Sequence, residues 1–186
     1  MKNFTVIDNF LPEDIHKNIS DMVFGGTIPL FYQHNTLTKT ELGKNDQLNK
    51  THNIDKEGHA FFYHMFFNDL RTFSSDYNSA YIPIIEKINP IALMRVKMNV
   101  YTNPNYRSLS ERISSGWHVD MKLCEHKYTT AVYHINTNNG YTLFEDGTKV
   151  KSVANRLVTF PGNTLHTGIT QTEEETRALI NLNYLK

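Results

Sequence analysis

The feature that most constrains this chain is a change of period at Leu93. From there, LMRVKMNVYT alternates: Met94, Val96, Met98 and Val100 fall on one face, and Arg95, Lys97, Asn99 and Tyr101 on the other. That pattern is a strand with one apolar and one polar face, the polar one turned either to solvent or into a cavity. Further strand-like runs follow at 127–135, 141–144, 149–153, 156–160 and 177–185. Turn residues separate them at Asn138-Asn139-Gly140, Asp146-Gly147 and Pro161-Gly162-Asn163. Strands this short and this closely spaced predict an antiparallel sandwich or barrel, a mainly β fold with flanking helices.

Upstream of Leu93 the periods are mostly helical. Phe4 to Ile7 is a short strand-like run. In DNFLPEDIHKNISDMVF, Pro12 followed by Glu13 and Asp14 marks a helix start, and Ile15, Ile19, Met22 and Val23 recur at helical spacing. Residues 33–57 are polar and weakly periodic, which predicts loops with at most an edge strand. The spacing predicts helices over 59–70 and 77–88, the second closed by Pro90. One domain over 1–186 is expected, with N-terminal helical support over about 1–92 and a β core over about 93–186.

Composition narrows the partners. Lys plus Arg equals Asp plus Glu at 19 each, so no excess of positive charge grips a long phosphate backbone. The single cysteine, Cys124, rules out an internal disulfide and fits a reducing cytoplasm. MKNFTVIDNF lacks the basic and apolar regions of a signal peptide, and no run approaches a membrane span. A cytoplasmic protein without a membrane partner is the expectation.

The chemistry starts at GWHVDM, residues 116–121. In an extended chain His118 and Asp120 project from one side. Alone, H-x-D is weak, because nine histidines among 186 residues make it a frequent accident. His166, in TFPGNTLHTG, and Arg177, which opens the apolar strand RALINLNYL, change the reading. Two imidazoles and one carboxylate form the facial triad that holds non-haem Fe(II) and leaves three positions open, two for a chelating cosubstrate and one for dioxygen. A structural zinc site would want four protein ligands. An arginine at the start of a buried strand is costly unless it meets an anion, and its guanidinium takes a carboxylate bidentately.

His118-x-Asp120, His166 and Arg177, on strand-like segments between about Arg95 and Tyr184, resemble the Fe(II)/2-oxoglutarate-dependent dioxygenases. YTTAVYHIN, NNGYTLFEDG and NRLVTFPGNTLHTG look most like the prolyl-hydroxylase branch. The resemblance implies a double-stranded β-helix (a jelly-roll, cupin-like) packed against the N-terminal helices. It implies His118, Asp120 and His166 as catalytic metal ligands, with Fe(II), 2-oxoglutarate as cosubstrate, dioxygen, and ascorbate as an optional reductant. It also puts Arg177, Tyr133, Tyr101 and Asn99 against the cosubstrate. The polar face of RVKMNVYT then turns inward, and so do Thr129, Ala131, Tyr133 and Ile135, with His134 outward. Arg95 and Lys97 suit either a cavity mouth or an acidic partner. Trp117 is a core residue or a substrate wall, the core being favoured. His126 and His134 are expected on the surface. The polar segment 103–115, with Arg107, Glu111 and Arg112, is expected to cover the pocket mouth as a lid.

For the substrate, the resemblance favours a prolyl or other peptidyl residue of a peptide or protein, with small molecules left open. Nucleic-acid bases are the alternative, because the alkylation-repair dioxygenases share Asn-x-Tyr before H-x-D. Those enzymes carry a second arginine on the last strand, whereas here Lys186 is the only basic residue after Arg177. Halogenation is disfavoured, since it requires the carboxylate ligand to be missing. From a different class, a non-catalytic jelly-roll that keeps its metal site remains open, as does the oligomeric state.

Overall fold

The computed structural model of the chain describes residues 4–36, 41, 44–103, 111, 113–121 and 128–186. In order, its elements are strand β1 (Thr5–Ile7), helix α1 (Glu13–Phe24), β2 (Phe31–Gln33), α2 (Asp46–Thr51), β3 (Lys56–Glu57), β4 (Phe61–Asn68) and β5 (Arg71–Thr72). A 3-10 helix (Ser75–Ala80), α3 (Ile82–Ile88), β6 (Ala92–Thr102), β7 (Ile113–Ser114), β8 (Thr129–His134) and β9 (Tyr141–Phe144) follow. β10 (Lys149–Lys151), β11 (Arg156–Pro161), β12 (His166–Ile169) and β13 (Thr176–Leu185) complete the series. The larger sheet runs β1-β11-β8-β13-β6-β4-β2, with β5 on β4, and the smaller runs β10-β9-β12-β7-β3. The pairing is antiparallel apart from the two-residue β3–β7 match. The result is the expected jelly-roll with helices against the larger sheet. No helix among the described residues is long and apolar enough to cross a membrane.

The helices form where the apolar period puts them. Pro12 sits at the N-cap of α1, with Glu13 and Asp14 in its first turn. Asn89, left-handed at φ 51°, closes α3 just before Pro90. Ile19 and Val23 of α1 and Ile84 of α3 pack with Tyr81 onto Val96, Met98, Ile180 and Leu182, one face of β6 and β13. Each such side chain contributes about 1.5–3 kcal/mol on burial. The opposite, polar face of β6 is thereby forced toward the smaller sheet.

Two sequence expectations are corrected here. The helix predicted over 59–70 is a strand: FFYHMFFN forms β4 between β2 and β6, with a register shift between Met65 and Phe67. Its aromatics are compatible with either period, and the free edge of β6 decides in favour of the pleat. Residues 33–57 contain, besides the two-residue edge strand β3, the unexpected short helix α2.

A third correction concerns β8, whose two faces are the reverse of the expectation. Ala131, Tyr133 and Ile135 face the helix layer, whereas Val132 packs inward with Phe144, Phe160 and Leu179. His134 shares the inward face and is fully buried, not on the surface. Because β8 lies between β11 and β13 with both faces covered, apolar alternation carries no sign of which face is which.

Candidate metal centre

The segment bearing His118 runs alongside β12 and pairs with it. The His118 N–H donates to the His166 carbonyl at 2.9 Å, and the His166 N–H donates back at 3.1 Å. That pairing sets the two imidazoles side by side, with ring centroids 4.7 Å apart. Asp120, two residues on, points to the same side. One ligand atom from each of His118, Asp120 and His166 lies within 4.8 Å of the others.

Each imidazole is oriented from behind. Nδ1 of His118 is 2.7 Å from the Gly116 carbonyl, and Nδ1 of His166 is 2.9 Å from the Thr164 carbonyl. A carbonyl only accepts, so both Nδ1 atoms carry a hydrogen, and Nε2 is the ring atom left for a metal. Gly116 adopts φ 92°, a left-handed turn open to glycine that aims its carbonyl back at the ring. Phe160 stacks edge-on to His166 at 4.9 Å and keeps that side dry.

The carboxylate is clamped as well. Arg95 Nη2 lies 3.1 Å from Asp120 Oδ1, and Nη1 donates to the Asp120 carbonyl at 3.2 Å. Asn183 Nδ2 donates to Oδ2 at 3.3 Å, while Arg95 Nε donates to Asn183 Oδ1 at 2.9 Å. Burial opposes ionisation of Asp120, but Arg95, then His166, His118 and the Asn183 hydrogen bond outweigh it and hold the carboxyl far below its usual range. Burial, reinforced by His166, pushes His118 down to about 4. One carboxylate and two imidazoles with Nε2 free of protein partners make a donor set suited to a divalent transition metal, so these residues fit Fe(II).

A cavity of about 560 Å³ opens from this cluster between the two sheets. Cross-strand pairs of β13 and β6 form its floor: Arg177 with Tyr101, Leu179 with Asn99, Asn181 with Lys97, and Asn183 with Arg95. Arg177 is only 2% exposed. Its Nε donates to Ser152 Oγ at 2.8 Å, and its guanidinium lies 5.7 Å from the Tyr101 ring centre. Burial pushes Arg177 down to about 10, which leaves it charged at neutral pH. No carboxylate among the described residues pairs with it. Its stem needs Gly140, where a Cβ would come within 2.9 Å of the Arg177 Cδ. Two amide oxygens on the cavity face, Asn99 Oδ1 and Asn181 Oδ1, are buried without a partner.

Of the residues expected at the site, His118, Asp120, His166, Arg177, Tyr101 and Asn99 line this one cavity, and Tyr133 does not. The Tyr133 hydroxyl lies on the other face of the sheet, 2.7 Å from His16 Nδ1 and 3.0 Å from Asn155 Oδ1. Trp117 is core and wall at once, 2% exposed, with its indole N–H on Asn49 Oδ1 at 2.9 Å. His134 stays neutral, its basicity depressed by burial first and then by the charges of Arg177 and Arg156. Residues 104–110 and 112, hence Arg107 and Arg112 of the expected lid, lie outside the described residues, as do Cys124 and His126. Sequence reasoning missed Asn181, Asn183 and Ser152. The signal for the first two is present in RALINLNYL, where Asn181 and Asn183 fall on the same strand face as Arg177, beyond Leu179.

No protein-family profile and no curated protein sequence matches the chain. Solved structures match it in fold. A prolyl-4-hydroxylase from Pseudomonas putida superposes at TM-score 0.57 and 13% identity, over 100% of this chain and 94% of that one. A prolyl hydroxylase from Trichoplax adhaerens, in complex with a hypoxia-inducible-factor peptide fragment, gives 0.59 at 10% identity over 99% and 84%. The non-haem α-ketoglutarate-dependent epimerase SnoN gives 0.63 at 9% identity over 100% and 78%. The fold is that of the 2OG-Fe(II) oxygenases. On this oxygenase fold His166 comes from the smaller sheet, and the groups that clamp Asp120 come from the larger one. A viral collagen prolyl hydroxylase of the same fold has been solved as its 2OG complex.

Proposed function

We propose that residues 1–186 form one Fe(II)- and 2-oxoglutarate-dependent dioxygenase domain that hydroxylates a C–H bond of a prolyl or other peptidyl residue. The observation that carries this is the shared cavity. A His-Asp-His cluster stands in it together with a buried arginine that pairs with no carboxylate among the described residues. In this reading Nε2 of His118, Nε2 of His166 and a carboxylate oxygen of Asp120 hold the metal. Fe(II), bound with 2-oxoglutarate and dioxygen, supplies the oxidising power: the substrate gains a hydroxyl group, and the cosubstrate leaves as succinate and carbon dioxide.

The chain's own work is binding, orientation and exclusion of water. Arg177 takes the far carboxylate of 2-oxoglutarate as a bidentate ion pair, with Ser152 fixing Nε so that the other nitrogens face the cavity. Tyr101 and the Asn99 side chain, whose Oδ1 has no partner, flank that site. Arg95 and Asn183 keep the Asp120 carboxylate at one angle without ligating. Val132, Leu179 and Phe61 add apolar wall between the polar groups.

A peptidyl substrate is favoured by the likeness to prolyl hydroxylases, one of which holds a peptide fragment. SnoN, in complex with nogalamycin RO, keeps a small molecule as the second reading. A nucleic acid is disfavoured by the net charge of zero. The test is succinate release from 2-oxoglutarate under air, with Fe(II) and ascorbate. Release that requires His118 and Arg177 supports the oxygenase, and a non-catalytic metal-binding module makes none. A prolyl-peptide panel read for one added oxygen then tests the substrate class.

A further inference from the structure

Lys44 and Lys97 both line the cavity and serve neither the metal cluster nor the cosubstrate, and Glu41 lines it as well; of the two lysines, Lys97 is the one carried on the strand beside Arg95 and Asn99. Lys97 stands on the cavity face of β6, between Arg95 and Asn99. Its ammonium donates to Gln33 Oε1 at 3.2 Å and lies 5.0 and 4.7 Å from the ring centres of Phe61 and Tyr63. Opposite it on β13, Asn181 keeps a buried, unpartnered Oδ1. No carboxylate among the described residues pairs with Lys97, whereas Arg95, two residues earlier, has Asp120 at 3.1 Å.

The charges leave a specific gap. In the proposed oxygenase Asp120 serves Arg95 and the metal, and the far carboxylate of 2-oxoglutarate serves Arg177. Neither forms an ion pair with Lys97; Asp120 attracts it only from a distance, and burial and the Arg95 charge outweigh that attraction. An ammonium withdrawn from water is costly until an anion meets it. Two aromatic faces and one amide oxygen recover part of that cost and hold the side chain in place. Burial pushes Lys97 down to about 8, so it still carries its proton at neutral pH, and a neighbouring anion would raise it again. One compact positive charge matches a carboxylate monoanion better than a phosphate dianion. The Asn181 amide, turned over, presents an N–H to the same space.

We propose that Lys97 determines substrate specificity by binding a carboxylate carried by the substrate, beside the metal cluster and apart from the Arg177 site. The carboxylate is that of a free amino-acid-like molecule, or the acidic side chain or C-terminus of a peptide. The inference rests on the oxygenase reading for the division of anions between Arg177 and Lys97, but it concerns binding and needs no turnover.

The experiment uses the full chain with Fe(II) under nitrogen and saturating 2-oxoglutarate, so that Arg177 is filled. Binding is read by ligand-observed NMR. One arm titrates the free amino acids against their carboxamides. The other titrates end-blocked prolyl tripeptides flanked by Asp or Glu against those flanked by Asn or Gln, and C-terminal acids against amides. At least one carboxylate probe should bind tenfold or more tighter than its amide, without displacing 2-oxoglutarate. Lys97→Met should bring that ratio within twofold, and Lys97→Arg should keep most of it. If Lys97→Met unfolds, Lys97→Gln replaces it, with thermal melting as the check. The arm that responds identifies the carrier. The proposal is overturned if neither arm shows carboxylate preference, if the preference survives in Lys97→Met, or if the probes displace 2-oxoglutarate. Failure of the oxygenase reading shows separately, as absence of succinate under air while Lys97-dependent binding persists.

Discussion

On its helix side the larger sheet carries a polar cluster whose members bond to one another. The Tyr133 hydroxyl meets His16 Nδ1 and Asn155 Oδ1, and the Asn155 amide bonds both the N–H and the carbonyl of Leu11. The start of α1 is thereby tied to the sheet. On the cavity side of the same strands, Asn99 and Asn181 keep buried oxygens without partners, and Arg177 and Lys97 have no carboxylate among the described residues. A buried polar group left unsatisfied costs free energy; His64 Nε2 on the helix side is one such atom, but the two amide oxygens and two cations gather around one cavity, which marks it as the place for a ligand. The face that binds and the face that merely holds thus differ in hydrogen bonding, although both contain histidine, tyrosine and asparagine.

Substitutions can break this contrast. The largest effect is expected at Asp120. Asp120→Ala should abolish tight metal binding and 2-oxoglutarate turnover, read by metal titration and succinate release, because it removes one of three ligands and strands Arg95. Arg177→Met should weaken 2-oxoglutarate by about 2–5 kcal/mol, as expected for a desolvated charge pair, with metal affinity nearly unchanged. Unaltered cosubstrate affinity would take Arg177 out of the site.

Lys97→Met sharpens the contrast from the stability side. With its folded-state value at about 8, below the ordinary 10.5, Lys97 destabilises the fold when it is charged. Below pH 8 the penalty is whole, and between pH 8 and 10.5 it fades as the unfolded chain also loses the proton. Lys97→Met should therefore raise stability by about 1–2 kcal/mol at pH 7, discounted for partial exposure, and by little at pH 10.5. Denaturant midpoints at the two pH values would measure it.

The smallest effect belongs to the helix side. Tyr133→Phe should cost about 1 kcal/mol of stability and leave 2-oxoglutarate affinity within twofold. A large loss of cosubstrate affinity in that variant would erase the distinction between the two faces.

Read alone, the sequence shows the strand-rich C-terminal half and the start of α1, and it picks out His118, Asp120, His166 and Arg177 as candidates. Those are local matters: alternation shows that a strand has a face to bury, turn residues end it, and an arginine opening an apolar run signals an anion. Which face of β8 meets the cavity depends on the fold. YTTAVYH alternates within a strand covered on both sides, and the choice rests on the register of β13, which pairs Ile180 with Tyr133 and Leu179 with His134. The structure likewise turns FFYHMFFN into β4, because β6 offers it a free edge. It also joins Arg95 and Asn183 to Asp120 across 25 and 63 residues of chain. A local period records that a side chain is buried. What it is buried against depends on pairing between distant segments, and in this protein that pairing separates the tyrosine that holds the helix from the side chains left open to a ligand.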